Sequence, residues 1–551
     1  MNSVYFLRGG GIVFCFMLAS VVIGQPNVAP GEEGIPVTDP LVMAKCQSCH
    51  ARDERGNMQR ISWERTTPEE WQEVLKRMIL ANGVMLTPPE ARAMVKYLSA
   101  KHGLAPEEAE PIRYAVERRI HDEAKIANEN LRKACAKCHG LARTLSWRRS
   151  LGDWKELATT HATRHKVEAN EDITTFLAKT VPLHSPEWTA WSGRTQAANL
   201  TGRWLVSAYV PGRGKYYGEM QADAEGDDEF NTRVRLKSIR DGSQIVRSGR
   251  SVVYGGYAWR GRSKGSESPT SPADDPSSEG REVMWIAPDQ SRAEGRWFWG
   301  QYQEFGFDVR LQRPASDGTL LSVEPSSLKA GSKANRIRLF GDNIPAQVRT
   351  ADLDFGPGVS VRRIVSRSPS EVIAEVDVAA DARLGKRNAV CHRSVLPNAI
   401  AIYDRVDYVK VTPESAMAAF GDQTRLRGYQ QFEAIGYQRG ADGKAHTADD
   451  VELGPVDATW SLEIFYAAEG SSTDFVGKVS STGFFTPNAG DANNNYDVWV
   501  IATARSEKDK DGKPLVGKAY MVVTVPTYTF DGRQYVRDLD RWVDDGPARA
   551  R

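Results

Sequence analysis

At 551 residues the chain is too long for one hydrophobic core, and at ~100–200 residues per domain it reads as three or four units. Lys and Arg number 72 against 71 Asp and Glu, a formal charge of +1. This balance excludes the broad basic face that nucleic acid would require and the acidic bias of a disordered chain.

Arg8 precedes the apolar run "GGGIVFCFMLASVVIG", which ends in small residues suited to cleavage before Gln25. Residues 1–24 therefore read as a signal peptide, and the mature protein as exported. The run falls short of the ~20 apolar residues of a membrane span, and no later stretch could cross a bilayer.

Two motifs follow, "MAKCQSCHAR" at 43–52 and "LRKACAKCHG" at 131–140. Of six cysteines, Cys15 leaves with the signal, four belong to the motifs and Cys391 stands alone, so no disulfide framework emerges. On a helical turn, residues i and i+3 share a face, so paired thiols reach one edge of a porphyrin and the next histidine sits under the iron. Cys46 and Cys49 thus attach a first c-type haem with His50 as proximal ligand, and Cys135 and Cys138 a second with His139. A thioredoxin-type pair would need a βαβ setting, and structural zinc would leave both histidines unexplained.

The segments after the two motifs repeat one pattern. Ser62-Trp63 matches Ser146-Trp147, Trp71 matches Trp154, and Tyr97-Leu98 matches Phe176-Leu177. Each unit, about 40–110 and 125–198, is expected to hold an attachment helix, a middle helix and a closing helix. Thr67-Pro68-Glu69-Glu70 and Thr87-Pro88-Pro89-Glu90 are good helix openings. Met78 and His161 each lie seven residues past the matched tryptophan. Both donor types ligate haem iron, so Met78 is assigned to the first iron and His161 to the second, with Met85, His165 and His184 as rivals. Thioether ligation would give the first haem the higher potential, drawing electrons from second to first.

From about residue 199, alternating runs such as "RWLVSAYV" and "RVRLKSI" replace helical periodicity. The Ser/Pro/acid-rich stretch between Gly261 and Gly280 reads as a mobile loop or long hairpin connection. Strand lengths and turn spacing from "LLSVEPSS" onward, and again from Asp407, suit two immunoglobulin-like sandwiches. The turn "GADGKAHTADD" could hold Ca²⁺ but lacks an EF-hand register. Cys391 reads as a thiol without a catalytic role. No nucleophile, phosphate-loop or zinc-protease pattern appears in convincing context.

The quoted haem motifs, "WQEVLKRMILANGVMLTPPEARAMVKYLSAKHG" and "LTGRWLVSAYVPGRGKYYGEMQ" resemble the α-subunit of quinohaemoprotein amine dehydrogenase over essentially the whole mature chain. The resemblance implies a multidomain α plus all-β protein. An all-α dihaem cytochrome c domain (25–198) is followed by a β-barrel (199–316) and two immunoglobulin-like sandwiches (317–406 and 407–551). It further implies a periplasmic complex with a β-propeller subunit and a small subunit carrying cysteine tryptophylquinone, where primary amines become aldehydes plus ammonia. Electrons would pass through two haem c groups to an external small cytochrome c or copper protein, and no amine-oxidising residue would lie on this chain. Competing readings are a dihaem peroxidase and a stand-alone periplasmic relay or sensor.

Overall fold

The computed structural model describes residues 33–112, 128–135, 140–167, 170–194, 197–266, 271–300, 304–421, 427–466, 472–489 and 494–525. The signal segment, Cys15, Cys138 and His139 lie outside them. The described helices are α1 (Pro40–Cys46), α2 (Pro68–Asn82), α3 (Pro88–Lys101), α4 (Pro106–Ala109), α5 (Glu129–Cys135), α6 (Leu141–Leu145), α7 (Leu151–His165), α8 (Glu171–Thr180) and α9 (Pro186–Ser192). Among the described residues, no helix is long and apolar enough to cross a membrane.

The chain forms two compact units, and they do not follow the two repeats in sequence order. One gathers the described residues of 1–65, 126–137 and 148–184; the other those of 66–125, 138–147 and 185–551. In the first unit, β1 (Glu64–Arg65) pairs antiparallel with β2 (Arg148–Arg149), with Glu64 opposite Arg149 and Arg65 opposite Arg148. The segments after Ser62-Trp63 and Ser146-Trp147 thus meet as a two-stranded ribbon, so the N-terminal region is not purely helical. Strands of two residues carry no periodicity for the sequence to display.

The second unit holds α2 and α3 together with the β structure from residue 202 onward. Thr67 caps α2 by accepting from Glu70 N, and Thr87 caps α3 in a reciprocal box with Glu90, as the openings predict. A closed barrel follows, made of β3 (Gly202–Val210), β4 (Gly214–Gly226), β5 (Glu229–Ser238), β6 (Gln244–Tyr254), β7 (Ala258–Lys264), β8 (Gly280–Ile286), β9 (Arg292–Trp299) and β10 (Phe305–Gln312), with β10 returning to pair β3. Alternate side chains point inward, and Trp204, Met220, Trp259, Met284, Trp297 and Phe307 fill the interior. The Ser/Pro-rich stretch is the β7–β8 connection. Arg247, buried inside the wall, donates to the Pro276 and Ser278 carbonyls and so holds that connection down.

The helices are pinned to this barrel. Arg260 of β7 donates to Glu69, both side chains being buried, and its guanidinium lies 4.9 Å from the Trp285 ring centroid. Lys96 donates to Glu229 at 2.7 Å, and Tyr257 Oη to the Leu104 carbonyl at 3.1 Å. Beyond the barrel, two four-stranded sheets between Thr319 and Tyr403 enclose one core that includes Leu339, Phe355, Val376 and Ile402. The last set of sheets, from Tyr408 to Thr524, closes around Val411, Phe432, Val498 and Met521. Its Phe484 stacks on Phe305 of the barrel at 5.8 Å.

Candidate haem-binding sites

The first attachment motif begins where α1 ends. Cys49 N and His50 N both donate to the Cys46 carbonyl, at 3.1 and 2.9 Å, so the turn carries on and sets Cys46, Cys49 and His50 around one edge. Both thiols are free. Burial, then the neighbouring Cys49, pushes the Cys46 thiol up to about 11, which keeps it protonated at neutral pH. His50 is half-buried, and its Nδ1 donates to the Gln59 carbonyl at 2.9 Å. A carbonyl can only accept, so Nδ1 carries the proton and Nε2 keeps its lone pair. That is how a ligating histidine is oriented.

Cys135 closes α5 as a half-buried cysteine. Its partners Cys138 and His139 lie outside the described residues, so only the segment that follows them can be described. There Arg143 of α6 approaches Glu70 of α2 at 3.6 Å, Thr66 Oγ1 donates to the Ser146 carbonyl at 3.0 Å, and Trp147 meets Trp71 edge-on at 6.1 Å.

Met78 and His161 occupy the same place in equivalent helices. Each is the eleventh of fifteen residues, after an N-cap at Thr67 or Ser150 and before a left-handed C-cap at Gly83 or Lys166. His161 is half-buried, and its Nδ1 donates to the Leu157 carbonyl at 2.9 Å, again leaving Nε2 as acceptor. Among the rivals, His165 is exposed, with its ring 5.6 Å from that of His161, and His184 directs Nε2 at the Glu33 carbonyl at 2.5 Å. Met78 is half-buried and Met85 is 82% exposed, as is the apolar Leu80 at 77%.

The units divide these residues. Cys46, Cys49, His50, Cys135 and His161 fall in the first, Met78 in the second. Within the first, Arg60, next to the Gln59 that orients His50, reaches Glu156 of α7 at 3.4 Å. The first attachment loop therefore lies against the helix of His161, while the segment after the second motif lies against the helix of Met78.

The residues fit covalently held haem. An iron in a porphyrin needs only axial donors, and His50 and His161 each present one free imidazole nitrogen. Two indole donors, Trp63 Nε1 and Trp154 Nε1, are buried in the first unit with no partner among the described residues. Such orphans call for an acceptor, and haem propionates are anionic acceptors. Sequence reasoning did not single out either indole as a candidate donor, because an unpaired donor shows only after folding. Elsewhere, the Asp450 carboxylate of the acidic turn accepts from Tyr408 Oη, Gly440 N and Thr447 N, bonds that close the turn itself. Cys391 is buried, and burial pushes its thiol up to about 11.

Four family models match, all from the alpha subunit of quinohemoprotein amine dehydrogenase: its haem-binding region over residues 37–188, domain II over 197–314, domain III over 317–404 and domain IV over 409–533. No curated protein matches. Among solved structures, a redesigned beta barrel is 13% identical, with 21% of this chain and 92% of that chain covered and a TM-score of 0.18. The titin I9–I11 tandem is 6% identical, with 56% and 98% covered and a TM-score of 0.12. These two carry no argument.

Proposed function

The chain belongs to the family of the quinohemoprotein amine dehydrogenase alpha subunit, and on that basis we propose that it is the electron-transfer subunit of a periplasmic amine dehydrogenase complex. The observation that carries this reading is a duplicated attachment motif with matched axial donors on equivalent helices. Two haem c groups, held by Cys46 and Cys49 and by Cys135 and Cys138, would each supply one-electron reduction and reoxidation at iron. Cysteine tryptophylquinone on a small partner subunit would oxidise primary amines, a β-propeller subunit would complete the assembly, and a small cytochrome c or copper protein would accept the electrons. The immunoglobulin-like modules serve as docking surfaces in this reading.

The sixth ligands are best read as crossed between the repeats. Because the first attachment loop is tied to α7 by Arg60 and Glu156, His161 completes the site of His50. Because α6 meets α2 through Arg143 and Glu70, Met78 is the donor we assign to the second haem. This reverses the sequential pairing expected from the sequence, and the order of potentials with it. His50 and His161 are then held in a fixed tautomer by the Gln59 and Leu157 carbonyls.

Two measurements test the proposal. Adding a primary amine to the purified complex should reduce the haem bands, while the same addition to this chain alone should leave them unchanged. A Cys135→Ser/Cys138→Ser variant, retaining only the first haem, should lack a thioether-to-iron charge-transfer band. Finding that band would restore the sequential pairing.

A further inference from the structure

Beneath the ribbon of the first unit lies a buried charge cluster that ligation does not use. Glu64 of β1 is 8% exposed, Arg149 of β2 5% and Asp153 of α7 1%. A single guanidinium nitrogen, Arg149 Nη1, donates to both carboxylates, and the guanidinium lies 5.6 Å from the Trp154 ring centroid. Arg60, itself 40% exposed and paired with Glu156, also faces Glu64. Arg149 thus shares its charge between two buried anions, an arrangement that favours holding a carboxyl proton.

The cluster is joined to the first haem site by the same elements. Asp153 and His161 are eight residues apart on α7, roughly 12 Å along the axis. Arg60 stands between Gln59, which orients His50, and the strand that carries Glu64.

We propose that Glu64 is a redox-linked proton site, taking up one proton when the iron held by His50 gains one electron and releasing it when that electron leaves. The balance is one electron from the amine-oxidising partner, or from dithionite in a titration, and one proton from solvent water, converting ferric iron and a carboxylate to ferrous iron and a carboxylic acid. The physical cause is electrostatic. An added electron makes the site more negative, and charges interact more strongly through protein than through bulk water. Burial, followed by the Asp153 charge, raises the Glu64 carboxyl to about 7 against the pull of Arg149 and Arg60, which puts the exchange in the physiological range. An electron-carrying subunit with this device would draw a proton with each electron, in step with an amine oxidation that releases both.

The proposal rests on the haem reading above, and its test separates the two. On the full chain, with haem content verified by mass, the midpoint potential of the first haem is followed from pH 5 to 9 with mediators, using the Cys135→Ser/Cys138→Ser background to isolate it. The midpoint should fall as pH rises between about 6 and 8, because the ionised carboxylate favours ferric iron, and Glu64→Gln should flatten that slope. Asp153→Asn, which removes one of the two anions, should move the slope to lower pH. Haem present with a flat wild-type midpoint, or a slope that survives in Glu64→Gln, overturns the proposal alone. Absence of covalent haem overturns both readings.

Discussion

Single residues decide what the second unit tolerates. Glu69 and Arg260 are both buried, and each is the other's charge partner. Burial pushes the Glu69 carboxyl up, but the Arg260 charge and hydrogen bond outweigh it and hold the group below its ordinary value. A depressed carboxyl contributes stability that is present above the unfolded-state value and lost as pH falls through the folded one. Removing one partner leaves a buried charge uncompensated, so Arg260→Met should cost ~3–5 kcal/mol. Urea unfolding should show Arg260→Met/Glu69→Gln to be far less damaged than Arg260→Met, and a double variant as unstable as the single would contradict the pairing. At this scale the sequence was partly legible. C-x-x-C-H is a local pattern, so candidate attachment residues can be proposed from the sequence directly, whereas Glu69 and Arg260 stand 191 positions apart and nothing in either neighbourhood points to the other.

At the scale of elements, α2 and α7 are one design written twice. Thr67 and Ser150 each accept a backbone N–H at N3, and Gly83 and Lys166 each end the helix at positive φ, 71° and 53°. Glycine adopts that conformation freely, while a side chain there is strained by contact between its Cβ and the backbone. Lys166→Gly should therefore stabilise the first unit by about 0.5–1 kcal/mol, and Gly83→Lys should destabilise the second by a similar amount. Opposite shifts in urea midpoint would bear this out; a drop in both would show that Lys166 contributes contacts that outweigh its strain. Caps and helix spans could be read from the sequence because their signals lie within four residues. The β1–β2 ribbon and the contacts between the repeats could not. Arg60 meets Glu156 and Arg143 meets Glu70, partners from different repeats that no local pattern brings together.

For the whole molecule, the change from helical to strand periodicity near residue 199 suggests a boundary that the packing of the second unit does not respect. α2 and α3 are docked on the barrel by Arg260 with Glu69, by Arg92 and Lys96 with Glu229, and by Tyr257 with Leu104, while Trp191 of α9 meets Tyr257 edge-on at 5.5 Å. The helix that offers Met78 is thus held from behind by strands more than a hundred residues downstream. Cutting the chain after residue 198 would expose the buried Glu69 and Trp191 faces to water, strip Glu69 of its Arg260 partner and free the α2–α3 pair. His161 belongs to the other unit, whose described cap, ribbon and charge cluster lie wholly within residues 33–184. The truncated chain, expressed with haem-attachment machinery, should keep both covalent haems and the bis-histidine spectrum but lose the thioether-to-iron band, partly or fully. Retention of that band at full intensity would mean that the barrel only carries the helices and does not hold Met78 in place, and the coupling argued here between barrel and ligand would fall.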